Sequence, residues 1–386
     1  MLEKKKFLTI LGLFFGVFVT GADSFIISPI LPEIARSFNA SIALSAYGVT
    51  IYAIFFAVGS PLFGPLGDRY NKKTLLIIGI LIFFVGSLLC GFSHTLIEFY
   101  IYRTIAGIGA SLFVPNVWAF IGSNFNGKKL NQVMGIVMSG LSLSIAIGVP
   151  LGTLLAQLSN WHMAFWGSAV LTLVALLFIL FAPKQNIINS KSVSYLASFK
   201  NVFLTKNAVP ALMITLSWMI GFYGIYTFLG TYIQNNFKFN VAMTGYVFIA
   251  YGLSNFIASF FGGKVMNITG KKRSINLNAI FSIVFILGFI ISKNNIWGII
   301  ILLILLAFAQ GFGVTSLNSY IVNVVPSNRS TLMSFNSSFL YLGLTIGSGI
   351  GGIIYDSFGF AGVCLMASLG LFFAIIITNL LKGETQ

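Results

Sequence analysis

Long apolar runs alternate with short polar turns along the whole chain. They fall at about 7–31, 44–66, 74–92, 97–123, 132–157, 162–182, 208–234, 243–266, 274–292, 296–322, 331–355 and 360–381. Each is long enough for a helix across a ~30 Å hydrocarbon core. None alternates apolar and polar positions, and each is about twice the length a barrel strand needs. In lipid every backbone polar group must be paired internally, so the runs predict helices. The fold class expected is an all-α integral membrane protein of twelve transmembrane helices. The longest connector, 183–207, is polar and basic and separates the sixth run from the seventh. It divides the chain into an N-terminal six-helix bundle (1–182), a cytoplasmic linker (183–207) and a C-terminal six-helix bundle (208–386). Residues 193–203 within it predict a short amphipathic helix on the inner membrane surface. No loop is long enough for a soluble domain.

The polar turns carry an internal repeat. Gly64 to Lys73 reads G-P-L-G-D-R-Y-N-K-K and lies between the second and third runs. A degraded copy, G-K-V-M-N-I-T-G-K-K, spans Gly263 to Lys272, 199 residues later, between the eighth and ninth. The same offset carries Gly148 and Gly152 onto Gly347 and Gly351. Two matches at one spacing predict a duplicated chain whose two bundles are pseudo-symmetric.

Composition agrees: 57% of residues are hydrophobic and 8% charged, against roughly 25% charged in soluble domains. A net charge of +15 raises the question of nucleic acid, but placement answers it. Eighteen of the 22 lysines and arginines lie in one set of loops, three (Arg36, Lys238, Lys293) in the other, and Arg103 inside a run. That asymmetry sets orientation and puts both termini in the cytoplasm of a cell-membrane protein. The first apolar run is too long for a signal-peptide core and lacks a small-residue cleavage site, so it reads as a retained span. Cys90 and Cys364 sit in opposite halves inside apolar runs and form no disulfide or metal pattern.

Of seven acidic residues, only Asp23 lies well inside a run. A carboxylate there costs about 2.5–3.5 kcal/mol on insertion scales, so it is expected to face a cavity and to handle protons or substrate. Arg103 lies inside the fourth run at a depth its long side chain makes similar. Pairing would favour the ionised carboxylate, and separation in a low dielectric the protonated one, which ties proton binding to conformation. The alternative is a permanent structural salt bridge. Gly107 and Gly109 in the fourth run, with Gly148, Pro150 and Gly152 in the fifth, allow close helix approach and a bend. They are assigned to helix packing at a hinging interface. Asn116, Trp218, Tyr223, Tyr226, Gln310 and Asn336 are candidates for lining a substrate cavity, since ring faces with a few hydrogen-bonding groups suit an amphipathic solute. Aromatics near span ends are alternatively interfacial anchors.

No G-x-x-x-x-G-K-[ST] occurs, so ATP hydrolysis is not expected to be the energy source. His94 and His162 have no Cys or acidic ligand at metal spacing, and no Ser-His-Asp candidate exists. No metal, cofactor or enzymatic activity is expected.

G-P-L-G-D-R-Y-N-K-K resembles the hallmark loop of the major facilitator superfamily, usually G-x-L-A-D-R-x-G-R-K, with Asn71 in place of a glycine. Asn tolerates a left-handed backbone, so the turn is expected to survive. R-T-I-A-G-I-G-A from Arg103 resembles the superfamily's fourth-span motif, and D-S-F-I-I-S-P-I-L-P from Asp23 the first-span motif of drug:proton antiporters. G-V-P-L-G-T from Gly148, followed by W-H-M-A-F-W, is similar to the branch of arabinose- and purine-efflux permeases. The resemblance implies two bundles alternating access to a central cavity, with the proton as coupling ion and no other cofactor. It implies a cytoplasmic gate at Gly64, Gly67, Asp68, Arg69, Lys72 and Lys73, near the start of the eleventh span. The function expected is proton-coupled efflux of a small organic solute or drug by a monomer in the bilayer, with protons and that solute as its partners. A proton-symport importer of a sugar or other metabolite is the nearest alternative; a passive channel and a receptor on a transporter frame are more distant ones.

Overall fold

A computed structural model of the chain describes residues 2–64, 66, 70–125, 127–182, 195–321, 324–325 and 329–381. Gly67, Asp68 and Arg69 of the hairpin, and 183–194 of the connector, lie outside the described residues. Each predicted apolar run is a helix. The second to fourth spans are Ile42–Phe63, Lys72–Cys90 and Leu96–Asn124, and the sixth is His162–Leu180. The seventh to tenth are Ala208–Phe237, Val241–Thr269, Lys271–Ile291 and Ile296–Ile321. The eleventh and twelfth form Arg329–Leu380, which folds back at Gly359, whose φ of 65° an L side chain rarely adopts. Ends are named here by the charge rule: the side poor in lysine and arginine is the outer side.

Two spans are interrupted, each by proline. The first runs Leu2–Phe25, breaks at Ile26, and resumes as Ile27–Ser37. Pro29 has no N–H to donate to the Phe25 carbonyl four residues back, which locates the break. The fifth runs Gly127–Leu143, passes through a π turn at Ser144–Gly148, and continues as Val149–Leu158. Pro150 cannot donate to Ala146, and the Val149 amide reaches instead to the Ser144 carbonyl five residues back.

The duplication has a physical counterpart. Lys73 Nζ donates to the carbonyls of Leu180 (2.7 Å) and Ala182 (2.6 Å), satisfying the end of the sixth span. At the 199-residue offset, Lys272 Nζ donates to the Leu381 carbonyl (2.9 Å) at the end of the twelfth. Lys73 therefore fastens the third span to the end of the sixth within its own half. The reading of Asn71 is corrected. Its backbone is extended (φ −62°, ψ 115°), and its side chain caps the third span by accepting from the Lys73 amide at 3.0 Å. The left-handed turn survives in the second copy, at Gly270 (φ 78°).

On the outer side the two halves meet at three seams. The first and seventh spans touch at Gly230, where an added Cβ would stand 2.5 Å from the Ser28 carbonyl oxygen. The fifth and eighth touch at Gly252, with a Cβ 2.5 Å from the Ala146 backbone, and at Gly245 against Thr153. The second and eleventh touch along their length. Thr50 and Ser348 hydroxyls are 2.7 Å apart, Ser338 donates to the Ala57 carbonyl at 2.5 Å, and Ser334 to that of Ser60 at 3.2 Å. Gly64 adjoins Ser334, so the inner end of the second span does reach the start of the eleventh. The connector helix, Tyr195–Leu204, sets Phe199 and Phe203 edge-on to Phe335 of the eleventh span, 4.8 and 4.9 Å between ring centres.

These glycines fit only if the outer seams close as described. Cysteines replacing Thr50 and Ser348 should cross-link on mild oxidation and arrest transport until reduced. Failure to cross-link in intact membranes would contradict the seam.

Candidate functional site

Five spans of the N-terminal half converge on one buried ion pair. Asp23, three residues before the first span's break at Ile26, accepts a hydrogen bond on Oδ2 from Arg103 Nη1 of the fourth span. Its Oδ1 accepts from Ser87 Oγ of the third (3.2 Å) and Ser168 Oγ of the sixth (3.4 Å). Arg103 Nε donates to the Gly48 carbonyl of the second span (3.2 Å), and the guanidinium lies 4.3 Å from the centre of the Tyr52 ring. Arg103 Nη2 has no hydrogen-bond partner. Neither charged side chain has any exposed surface.

Burying two charges costs several kcal/mol per ion, which their attraction and added hydrogen bonds repay only when geometry is good. Here two hydroxyls, a carbonyl and a ring face complete the shell, and a cation over tyrosine contributes about 0.5–2 kcal/mol. The sequence expectation of a cavity-facing Asp23 is not met in this conformation. The carboxylate is enclosed by protein and does not reach water or lipid. Proton exchange at Asp23 therefore requires a different arrangement of the spans.

The pair stands directly behind the outer seam. Phe25, two residues after Asp23, stacks on Tyr223 (6.1 Å) and meets Tyr226 edge-on (5.1 Å). Ser28 donates to the Tyr226 carbonyl and accepts from the Gly230 amide at 3.4 Å, the two groups that pair with each other in a regular helix. Gln234 Nε2 donates to the Pro29 carbonyl. On the other flank, Tyr52 neighbours Tyr341 of the eleventh span (6.3 Å), which stacks on Phe56 at 3.7 Å. The ion pair thus stands beside residues that reach two of the three inter-half seams, the first–seventh and the second–eleventh.

The remaining candidates separate. Gly107 and Gly109 seat the fourth span on the second and third, with a Cβ only 2.6 Å from the Tyr52 carbonyl and 2.3 Å from the Phe83 amide. Gly148 and Gly152 seat the fifth span on Ala22 and Ile26 of the first. These contacts lie within one half and are the tight helix packing that the same glycines equally allow. The fifth span meets the other half through Ala146 and Thr153. Lys72 is half-buried at the start of the third span.

The proposed cavity residues do not gather in one place. Asn116 donates to the Leu112 and Phe63 carbonyls (2.7 and 3.3 Å), tying the fourth span to the second. Asn336 bonds Thr215 (2.6 Å) and Asn318 (3.2 Å), and Trp218 donates to Gln310 (2.6 Å). Tyr226 and Gln310 line a common void, and it lies within the second half. Ser87, Ser168, Gly48 and Ser28 escaped sequence reasoning, because small polar residues are too common in these spans to single out.

If the pair is a unit, losing one partner strands a buried charge. Asp23→Asn and Arg103→Gln should each lower stability by roughly 3–5 kcal/mol, and the double variant by less than their sum. Reversible denaturation in micelles measures this; additive losses would contradict the pairing.

Comparison with known proteins follows the same architecture. The sequence model of the Major Facilitator Superfamily matches residues 13–295 and 230–385. The chain is 30% identical to the uncharacterized MFS-type transporter YwfA of Bacillus subtilis (strain 168), over 93% of this chain and 88% of that one. It is 25% identical to multidrug resistance protein 1 of the same organism, over 99% and 100%. Among solved structures, the human organic anion transporter MFSD10 (TETRAN) superposes with a TM-score of 0.75 at 15% identity, covering 96% of this chain and 99% of that one, a likeness of fold.

Proposed function

The chain belongs to the major facilitator superfamily, and on that premise we propose that this multi-pass membrane transporter is a proton-coupled exporter of a small organic solute. The observation that carries the reading is the enclosed Asp23–Arg103 pair beside the outer seam. A charge network this costly is retained where it has a task, and its two-state chemistry supplies one.

With Asp23 ionised, Arg103 and the two serine hydroxyls hold the first span in place up to its proline break. Phe25, Ser28 and Pro29 then lie where they close on the seventh span. When Asp23 takes a proton, the pair loses its Coulombic term and Arg103 is left without a counter-ion. The first span is freed to shift at Ile26, and the outer seam opens. A proton therefore enters from outside with the outer ends apart; once the outer seam closes again the proton leaves to the inside, and its loss re-forms the pair. Solute carried outward uses the reverse movement, so proton and solute compete for alternate states. Moving one charge through the membrane potential supplies about 2.3 kcal/mol per 100 mV, roughly a fifty-fold gradient, before the pH difference is added.

The relatives named for multidrug resistance support efflux of drug-like solutes. The G-V-P-L-G-T motif supports the arabinose- and purine-efflux branch. The lysine and arginine distribution supports cytoplasmic termini. The two six-helix halves and the 183–207 linker are read as the moving units, and the protein as a monomer.

In proteoliposomes with a pH readout, wild-type protein should move protons against solute, whereas Asp23→Asn should lose proton movement and retain solute counterflow. Unchanged proton flux in the variant would overturn the assignment. Proton and solute moving in the same direction would favour the importer.

A further inference from the structure

The 199-residue repeat places a second site opposite the ion pair. At that offset Asp23, Tyr52 and Ser87 correspond to Phe222, Tyr251 and Ile286. All three line one small, partly open void in the second half, between the seventh, eighth, ninth and tenth spans. Those spans repeat the first four. Where the fourth span brings Arg103, the tenth brings Leu303, Leu306 and Gln310. The duplicate position has exchanged a charge pair for a largely apolar pocket with no carboxylate, lysine, arginine or histidine in its lining.

Two observations mark the pocket as more than core. The hydroxyls of Tyr226 and Tyr251, both from lining residues, are buried and have no hydrogen-bond partner. A buried hydroxyl without a partner costs about 1–3 kcal/mol, so two beside one void call for an occupant. The ring faces are also arranged as walls. Phe222 lies parallel to Tyr251 at 6.1 Å, and Tyr226 meets Tyr251 edge-on at 5.7 Å. Phe222 is half-buried while its neighbours in the cluster are buried, so its ring borders the surface of the void's surroundings. In this outer-closed conformation the void is about 10 Å³, the room of one water molecule. A larger guest requires Phe222 to swing away.

We propose that this pocket is the solute subsite, and that it takes the uncharged, flat aromatic part of a solute bearing a carbonyl-type acceptor. The inference rests on the transporter reading above. The two phenols donate to the acceptor, the Gln310 amide adds a third polar contact, and Phe222 and Tyr251 hold the ring faces. An anion meets no basic group here. A permanent cation gains up to about 2 kcal/mol from the rings, less than the several kcal/mol its desolvation costs without a counter-charge.

The test is equilibrium binding to the full chain in lipid nanodiscs with no pH gradient, so failed proton coupling leaves it unaffected. The probes are three bicyclic compounds of similar size: neutral coumarin, N-methylquinolinium and 2-naphthoate. Trp218, hydrogen-bonded to Gln310, reports occupancy through tryptophan emission. Coumarin should quench saturably; the cation and the anion should not. Tyr226→Phe and Tyr251→Phe should each weaken coumarin roughly three- to tenfold, the loss of one hydrogen bond. Ile286→Phe should abolish binding by filling the void, with thermal unfolding confirming that each variant is folded. No saturable coumarin binding by wild type, or equal binding by both tyrosine variants, overturns the proposal and leaves the phenols holding a structural water. Tighter binding of N-methylquinolinium would overturn the uncharged-solute assignment.

Discussion

A carboxylate and a guanidinium, paired where neither touches solvent, set the terms for the N-terminal half. Their burial is tolerable only because five spans bring partners to them: the first and fourth the charges, the third and sixth hydroxyls, the second a carbonyl and a ring. Those spans cannot shift independently while both charges are present. The same pair lies within two residues of Phe25 and five of Ser28, which close the outer seam. Chemistry at one oxygen is thereby tied to the apposition of two helices.

The two halves share a scaffold and differ in what they place on it. Lys73 and Lys272 fasten equivalent helix ends. At the midplane the symmetry is broken. One half carries the ion pair and the other the apolar pocket with its phenols. In the proposed mechanism one half answers to protons while the other meets solute; Phe25 packs between them against Tyr223 and Tyr226.

Much of this was legible in the sequence, for identifiable reasons. Lipid forces backbone pairing, so the twelve spans follow from run length. Asp23 and Arg103 stood out because charge in an apolar run is costly. What stayed hidden was which small polar residue turns toward which neighbour. Ser87 and Ser168 look like many other serines, since helix rotation is set by packing that apolar runs do not spell out. The role of Asn71 was misread because the glycine it replaces is left-handed, whereas asparagine caps the next helix from an extended backbone. The glycines of the fifth span were read as a moving surface, but their small size serves contact with the first span of their own half. Tyr251 was within reach: carrying the repeat offset from Tyr52 lands on it.

The central claim is that the charge on Asp23 decides whether the outer ends of the first and seventh spans meet. Spin labels at the exposed positions Ser37 and Lys238 report that separation directly by pulsed electron resonance. The account predicts a short distance at high pH that lengthens as pH falls, and an Asp23→Asn protein shifted toward the long distance at every pH. A distribution in wild type that ignores pH, or a variant distributed like wild type at high pH, would contradict it.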